Sequence, residues 1–78
     1  MKRIQILGTG CPKCQQLVAN SQQAVVEAEV EASVEKVTDL QEIMKFGVMM
    51  TPALAIDGQV KASGRVLSPE EIKKLIAG

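Results

Sequence analysis

Cys11 and Cys14 are the only cysteines of a 78-residue chain that has no histidine. Two thiols three positions apart can open and close a disulfide, hold a soft metal ion such as Cu(I), or staple the chain locally. Stapling is the weakest of these reasons, because closing so small a loop is worth only about 2 kcal/mol in the chain-entropy model, less any strain. A structural zinc site needs four ligands, which this chain supplies only by dimerising. Redox exchange makes the fullest use of the spacing. On a helix, positions i and i+3 share a face, so both sulfurs come within bonding reach. Cys11, at the helix start, meets unpaired N–H groups and the positive end of the helix dipole, which favour a thiolate. Cys14, one turn further in, is expected to be more buried.

Magnitudes show where such an arrangement helps. Lowering a thiol pKa from about 8.5 to about 7 raises the thiolate fraction at neutral pH about 15-fold, while lost nucleophilicity returns about fivefold of that. Attack therefore gains only about threefold. The larger benefit is that Cys11 leaves readily when Cys14, already held beside it, attacks a mixed disulfide. Lys13 either adds positive charge near Cys11 or is a solvated lysine on the outer helix face, and the second is the simpler reading. Pro12 suits the first helical turn, where a missing N–H is no loss.

A helix starting at the pair needs a turn before it and a sheet beneath it. Lys2 to Leu7 reads as a short, mostly apolar strand, ended by Gly8-Thr9-Gly10, whose glycines permit a tight or positive-φ turn. Cys14, Leu17, Val18, Val25 and Ala28 then recur at helical spacing, predicting an amphipathic helix from near Cys11 to about Glu27. Val30, Ala32 and Val34 alternate with Glu31, Ser33 and Glu35, the pattern of a strand with one buried face; no glycine or proline marks the join. Thr38 and Asp39 are N-cap residues for a short helix carrying Leu40, Ile43 and Met44 and ending near Gly47. After Thr51-Pro52, strands Ala53 to Ile56 and Gln59 to Ala62 flank Asp57-Gly58, a strong hairpin signal. Ser68-Pro69-Glu70-Glu71 opens a closing helix with Ile72, Leu75 and Ile76 on its apolar face. The order βαβαββα predicts an α/β fold with a mixed four-stranded sheet and three helices, and residues 1–78 are expected to form one domain.

Apolar residues make up 46% of the chain, with Phe46 the only aromatic, so the core is built from aliphatic side chains. Nine basic and nine acidic residues cancel without a run of like charge, which leaves nucleic-acid binding without electrostatic support. No stretch approaches the roughly 20 apolar residues of a membrane span. Met1-Lys2-Arg3 looks like the start of a secretion signal, but the apolar run Ile4 to Leu7 is broken by Gln5 and stops at Gly8, so a cytoplasmic location is expected.

The segments Gly8-Thr9-Gly10-Cys11-Pro12-Lys13-Cys14, Lys36-Val37-Thr38-Asp39 and Gly47-Val48-Met49-Met50-Thr51-Pro52-Ala53-Leu54 resemble the thioredoxin superfamily. The chain is most similar to its very small archaeal and bacterial members, described as redox-active disulfide proteins. The resemblance spans essentially the whole chain and implies a minimal thioredoxin-like fold and thiol–disulfide exchange, with Cys11 as nucleophile and Cys14 as resolving thiol. It carries onto Pro52 the role of a cis proline packed against the disulfide. A cis bond is accessible almost only before proline, and it would turn the Thr51 backbone outward to pair with an extended substrate, with Met50 beside it. Val48, Met49 and Met50 are candidates for an adaptable apolar rim, or in part for core packing. The resemblance further implies no cofactor beyond the Cys11–Cys14 disulfide, a protein disulfide as substrate, a thioredoxin-reductase-like electron donor and a monomer. The cytoplasmic setting favours work as a reductase.

Three departures stand out. Gly10 replaces the tryptophan that commonly precedes the first cysteine, Pro12-Lys13 replaces glycine-proline, and Gln5 stands six residues before Cys11 where the superfamily has a buried Asp. An amide cannot accept the proton of Cys14, which points to water or a nearby side chain. The Pro-x-Cys spacing is also similar to that of glutaredoxins, but Met50-Thr51-Pro52 and the isolated Gly58 and Gly64 do not reproduce a glutathione site. The alternative from another class is a Cu(I) carrier using the same two thiolates. Such carriers have a βαββαβ order and a Met two residues before the first cysteine, where this chain has Thr9 and a closing helix. A redox-inert binding module on the same scaffold is the remaining alternative, but it has no need of both thiols.

Overall fold

A computed structural model describes residues 2–77. The elements run β1 (Lys2–Leu7), α1 (Pro12–Ala28), β2 (Ala32–Val37), α2 (Leu40–Lys45), β3 (Ala53–Ile56), β4 (Gln59–Ser63) and α3 (Pro69–Ala77). They form one four-stranded sheet in the order β2-β1-β3-β4. The β1–α1–β2 crossover makes β2 parallel to β1, whereas β3 runs antiparallel to both β1 and β4. This mixed sheet with three helices is the minimal thioredoxin-like α/β fold.

Local chemistry explains most boundaries. Cys11 is the N-cap of α1, with Pro12 at the first helical position. Asp39 caps α2 by accepting the Gln41 N–H at 2.8 Å. Ser68 and Glu71 form a reciprocal capping box at the start of α3, each backbone N–H donating to the other's side chain at 3.2 Å. Asp57 and Gly58 both take positive φ, 51° and 84°, as a two-residue hairpin between twisted strands requires.

The second strand begins two residues later than its alternating pattern predicts. Glu29 ends α1 in the left-handed conformation (φ 53°), with its N–H reaching the Val26 carbonyl at 3.3 Å, so a non-glycine residue does the work for which glycine is the usual signal. Pairing with β1 starts only at Lys2↔Ala32 and continues to Leu7↔Val37. As an edge strand, β2 is half-buried along most of its length rather than cleanly one-faced. Val30 lies before the strand but still packs against the core.

Each side of the sheet has its own core. Ile4, Ile6, Leu54 and Ile56 face α1 and α3, where they meet Leu17, Ile72 and Ile76. Strand alternation puts Leu7 and Ala53 on the opposite side, against Ile43 of α2. No helix of the described residues is long and apolar enough to cross a membrane.

Candidate active site

The end of β1, the start of α1 and the turn before β3 converge at one end of the sheet. Gly8 is held at the strand end by its N–H to the Val37 carbonyl (3.0 Å), and Gly10 turns the chain into α1 with φ 92°. The two thiols are free, with their sulfurs 2.7 Å apart. Cys11 is half-buried, while Cys14 is only 4% exposed.

Their titrations are pushed in opposite directions. Cys11 Sγ is hydrogen-bonded to the Cys14 thiol and also accepts the Cys14 backbone N–H at 3.3 Å, and together with the Lys13 N–H these contacts hold the Cys11 thiol below its ordinary pKa. Burial pushes the Cys14 thiol up, and hydrogen bonding to Cys11 adds to that. Pro12 and Lys13 are exposed, and Lys13 acts on Cys11 through its backbone N–H.

The Thr51–Pro52 peptide bond is cis. Thr51 is exposed and Pro52 buried, and the Pro52 carbonyl accepts the Gly64 N–H at 2.9 Å. Gly8 separates this turn from Cys14. A Cβ built on Gly8 would overlap Cys14 Sγ, and it would stand 3.3 Å from Cys14 Cβ and 3.9 Å from Pro52 Cα. Spacing in the sequence marks Gly8 as a turn glycine, yet Gly10 takes the positive φ, and Gly8 is needed for closeness instead. No signal in the sequence separates those two demands.

Met50 and Met49 are 62% and 97% exposed. Met50 lies across Gly64, where an added Cβ would be 3.1 Å from the Met50 Cβ and Cε. Val48 instead packs against the core on the α2 side, so the three rim candidates divide between core and surface.

Gln5 is buried but is not placed under the cysteines. It pairs with Glu35 and Ala55 between Ile4 and Ile6, both of which face α1, so its side chain belongs to the opposite face of the sheet. On the α1 face, a cavity of about 140 Å³ opens beside Cys14, walled by Ile6, Gly8, Val18, Gln15, Lys36 and Thr38. Among the described residues no group of three or more His, Cys, Asp or Glu side chains comes together to hold a metal.

A helix-capping thiol next to a buried thiol, faced by a cis proline on an α/β scaffold, defines a dithiol–disulfide exchange site. A family model described as a thioredoxin domain matches residues 2–77. The thioredoxin of Methanothermobacter thermautotrophicus is 46% identical over 77 residues, covering 99% of this chain and 100% of that protein. The thioredoxin of Methanocaldococcus jannaschii is 45% identical over 71 residues, covering 91% of this chain and 81% of that protein. The chain belongs to the thioredoxin family. Its activity at that level is thiol–disulfide oxidoreduction, and the Cu(I)-carrier alternative finds no support in these matches.

Proposed function

We propose that the protein is a cytoplasmic, monomeric, one-domain reductase of protein disulfides, recharged by a thioredoxin-reductase-like donor and needing no cofactor beyond its own disulfide. The Cys11 thiolate attacks one sulfur of the substrate disulfide and expels the other as a thiolate. The Cys14 thiolate then attacks Cys11 Sγ, breaks the mixed disulfide and releases the second substrate thiolate. Two electrons pass to the substrate and the Cys11–Cys14 bridge forms. Thr51 and Pro52 receive the substrate backbone as an added extended segment, with Met50 giving an adaptable apolar contact.

The observation that carries this reading is the asymmetry of the pair: Cys11 is the accessible, hydrogen-bonded sulfur of lowered pKa, and Cys14 the buried one of raised pKa. A trapping experiment tests it. Cys14→Ser is expected to accumulate a mixed disulfide through Cys11, while Cys11→Ser traps none. Alkylation of the reduced protein across pH is expected to modify Cys11 first. Its lowered pKa keeps it a thiolate at pH values where Cys14, with its raised pKa, is still protonated. Trapping by Cys11→Ser alone reverses the assignment.

A further inference from the structure

Oxidants act first on sulfur, and this chain has no histidine, tryptophan or tyrosine to react in its place. Closing a bridge between Cys11 and Cys14 withdraws both thiols from further oxidation, which leaves the methionine thioethers as the oxidisable groups of the bridged protein. Met44, Met49 and Met50 are all exposed. Of these, Met50 is folded against the turn that carries the cis peptide bond. A Cβ built on Gly64 would stand 3.1 Å from Met50 Cβ, 3.2 Å from its Sδ and 3.1 Å from its Cε, so the whole side chain lies over a residue that has none. Gly64 in turn gives its N–H to the Pro52 carbonyl at 2.9 Å. The Met50 sulfur therefore rests on the loop that holds Pro52, next to the Thr51–Pro52 bond.

We propose that Met50 is a modification site, at which hydrogen peroxide converts the thioether to the sulfoxide and thereby weakens docking of protein disulfides while the thiol pair keeps its chemistry. The inference rests on Met50 touching the substrate, as in the function proposed above. A lone pair of Met50 Sδ attacks one peroxide oxygen, and the O–O bond breaks as the S–O bond forms. The other oxygen leaves and is protonated to water, so the sulfur loses two electrons and the peroxide gains them. An adaptable apolar contact becomes a polar one. The Gly64 N–H beneath it is already committed to Pro52, so a substrate segment laid over Met50 covers an oxygen that this donor cannot satisfy. The contacts that set the character of Cys11 come from Cys14 and the Lys13 N–H and do not involve Met50. The two records of oxidation also differ in how they are erased. Dithiols reopen the bridge, whereas the sulfoxide waits for a methionine sulfoxide reductase.

The test treats bridged protein carrying Met44→Leu and Met49→Leu with hydrogen peroxide and then with dithiothreitol, which reopens the bridge and leaves the sulfoxide. Peptide mass spectrometry is expected to find the added oxygen on Met50. KM for insulin, used as the protein disulfide, is expected to rise about fivefold over the untreated protein, the effect of covering an unpaired polar atom. Its kcat, the reduction of a small aromatic disulfide and the alkylation rate of Cys11 are expected to stay as they were. Methionine sulfoxide reductase is expected to restore KM, and adding Met50→Leu to the same background is expected to abolish the response to peroxide. A Met50 left unmodified by peroxide that converts free methionine overturns the proposal. So does a Met50 sulfoxide with unchanged KM, or an equal response in the protein with Met50→Leu. Untreated Met50→Ser tests the underlying reading separately: a raised KM keeps Met50 in docking even where its sulfoxide has no effect, and an unchanged KM removes Met50 from docking and this inference with it.

Discussion

The two sides of the sheet are built to different depths. Under α1 and α3, Ile4, Ile6, Leu17, Leu54, Ile72 and Ile76 are all essentially buried, and α1 spans 17 residues. On the other side a helix of six residues sets Ile43 over Leu7 and Ala53, and its outward Leu40 and Met44 are exposed. The sulfurs belong to the deep side, and the chain leading to Thr51 and Pro52 hangs from the shallow one. A thiol pair that must close on itself at one fixed distance gains from a rigid seat, whereas a surface that accepts varied partners gains from a cover held by few apolar contacts.

Core truncation is expected to separate the two sides most. Leu17→Ala on the deep side is expected to cost about 4 kcal/mol, near the upper part of the range for buried leucines, and Ile43→Ala about 2 kcal/mol, because the short α2 can settle into the space left behind. Denaturant midpoints measure both. Equal losses would mean that the two sides are equally well packed and differ only in area.

Gly8→Ala probes the point where the rigid seat meets the Pro52 turn. The added methyl would overlap Cys14 Sγ, so either the sulfur or the strand end has to move. Overpacking of this kind is expected to cost about 1–3 kcal/mol, and moving the buried sulfur should speed alkylation of Cys14 relative to Cys11. A variant with the stability and the alkylation order of the parent would show that the site has more room than the strand end allows.

How much of this was legible beforehand follows from where the signals lie. β1, β3 and the turn at Asp57-Gly58 are written in local residue chemistry and stand where the pattern puts them. The cap at Ser68 and Glu71 is equally local. β2 is displaced because its start depends on Glu29 adopting a left-handed conformation and on registration with β1, and neither is visible in the alternation of Val30, Ala32 and Val34. Counting six residues back from Cys11 finds Gln5 but not the face of the sheet it occupies, which parity and packing decide together. Gly8 and Lys36 are likewise tertiary facts: the demand on one is room for a sulfur from a different element, and the place of the other depends on pairing across a crossover.

The smallest expected effect on stability belongs to the exposed end of the contrast. Met49 is 97% exposed and adds nothing to either core, so Met49→Ser should leave the denaturant midpoint within about 0.5 kcal/mol of the parent. If the shallow side serves recognition, the same change raises KM for a protein disulfide several-fold and leaves kcat, and the reduction of a small symmetric disulfide, unaltered. Unchanged KM for both substrates would assign the exposed methionine no part in docking. Recognition would then fall to Met50 and the Thr51 backbone, which Gly64 and Pro52 hold in place through contacts that Met49 does not share.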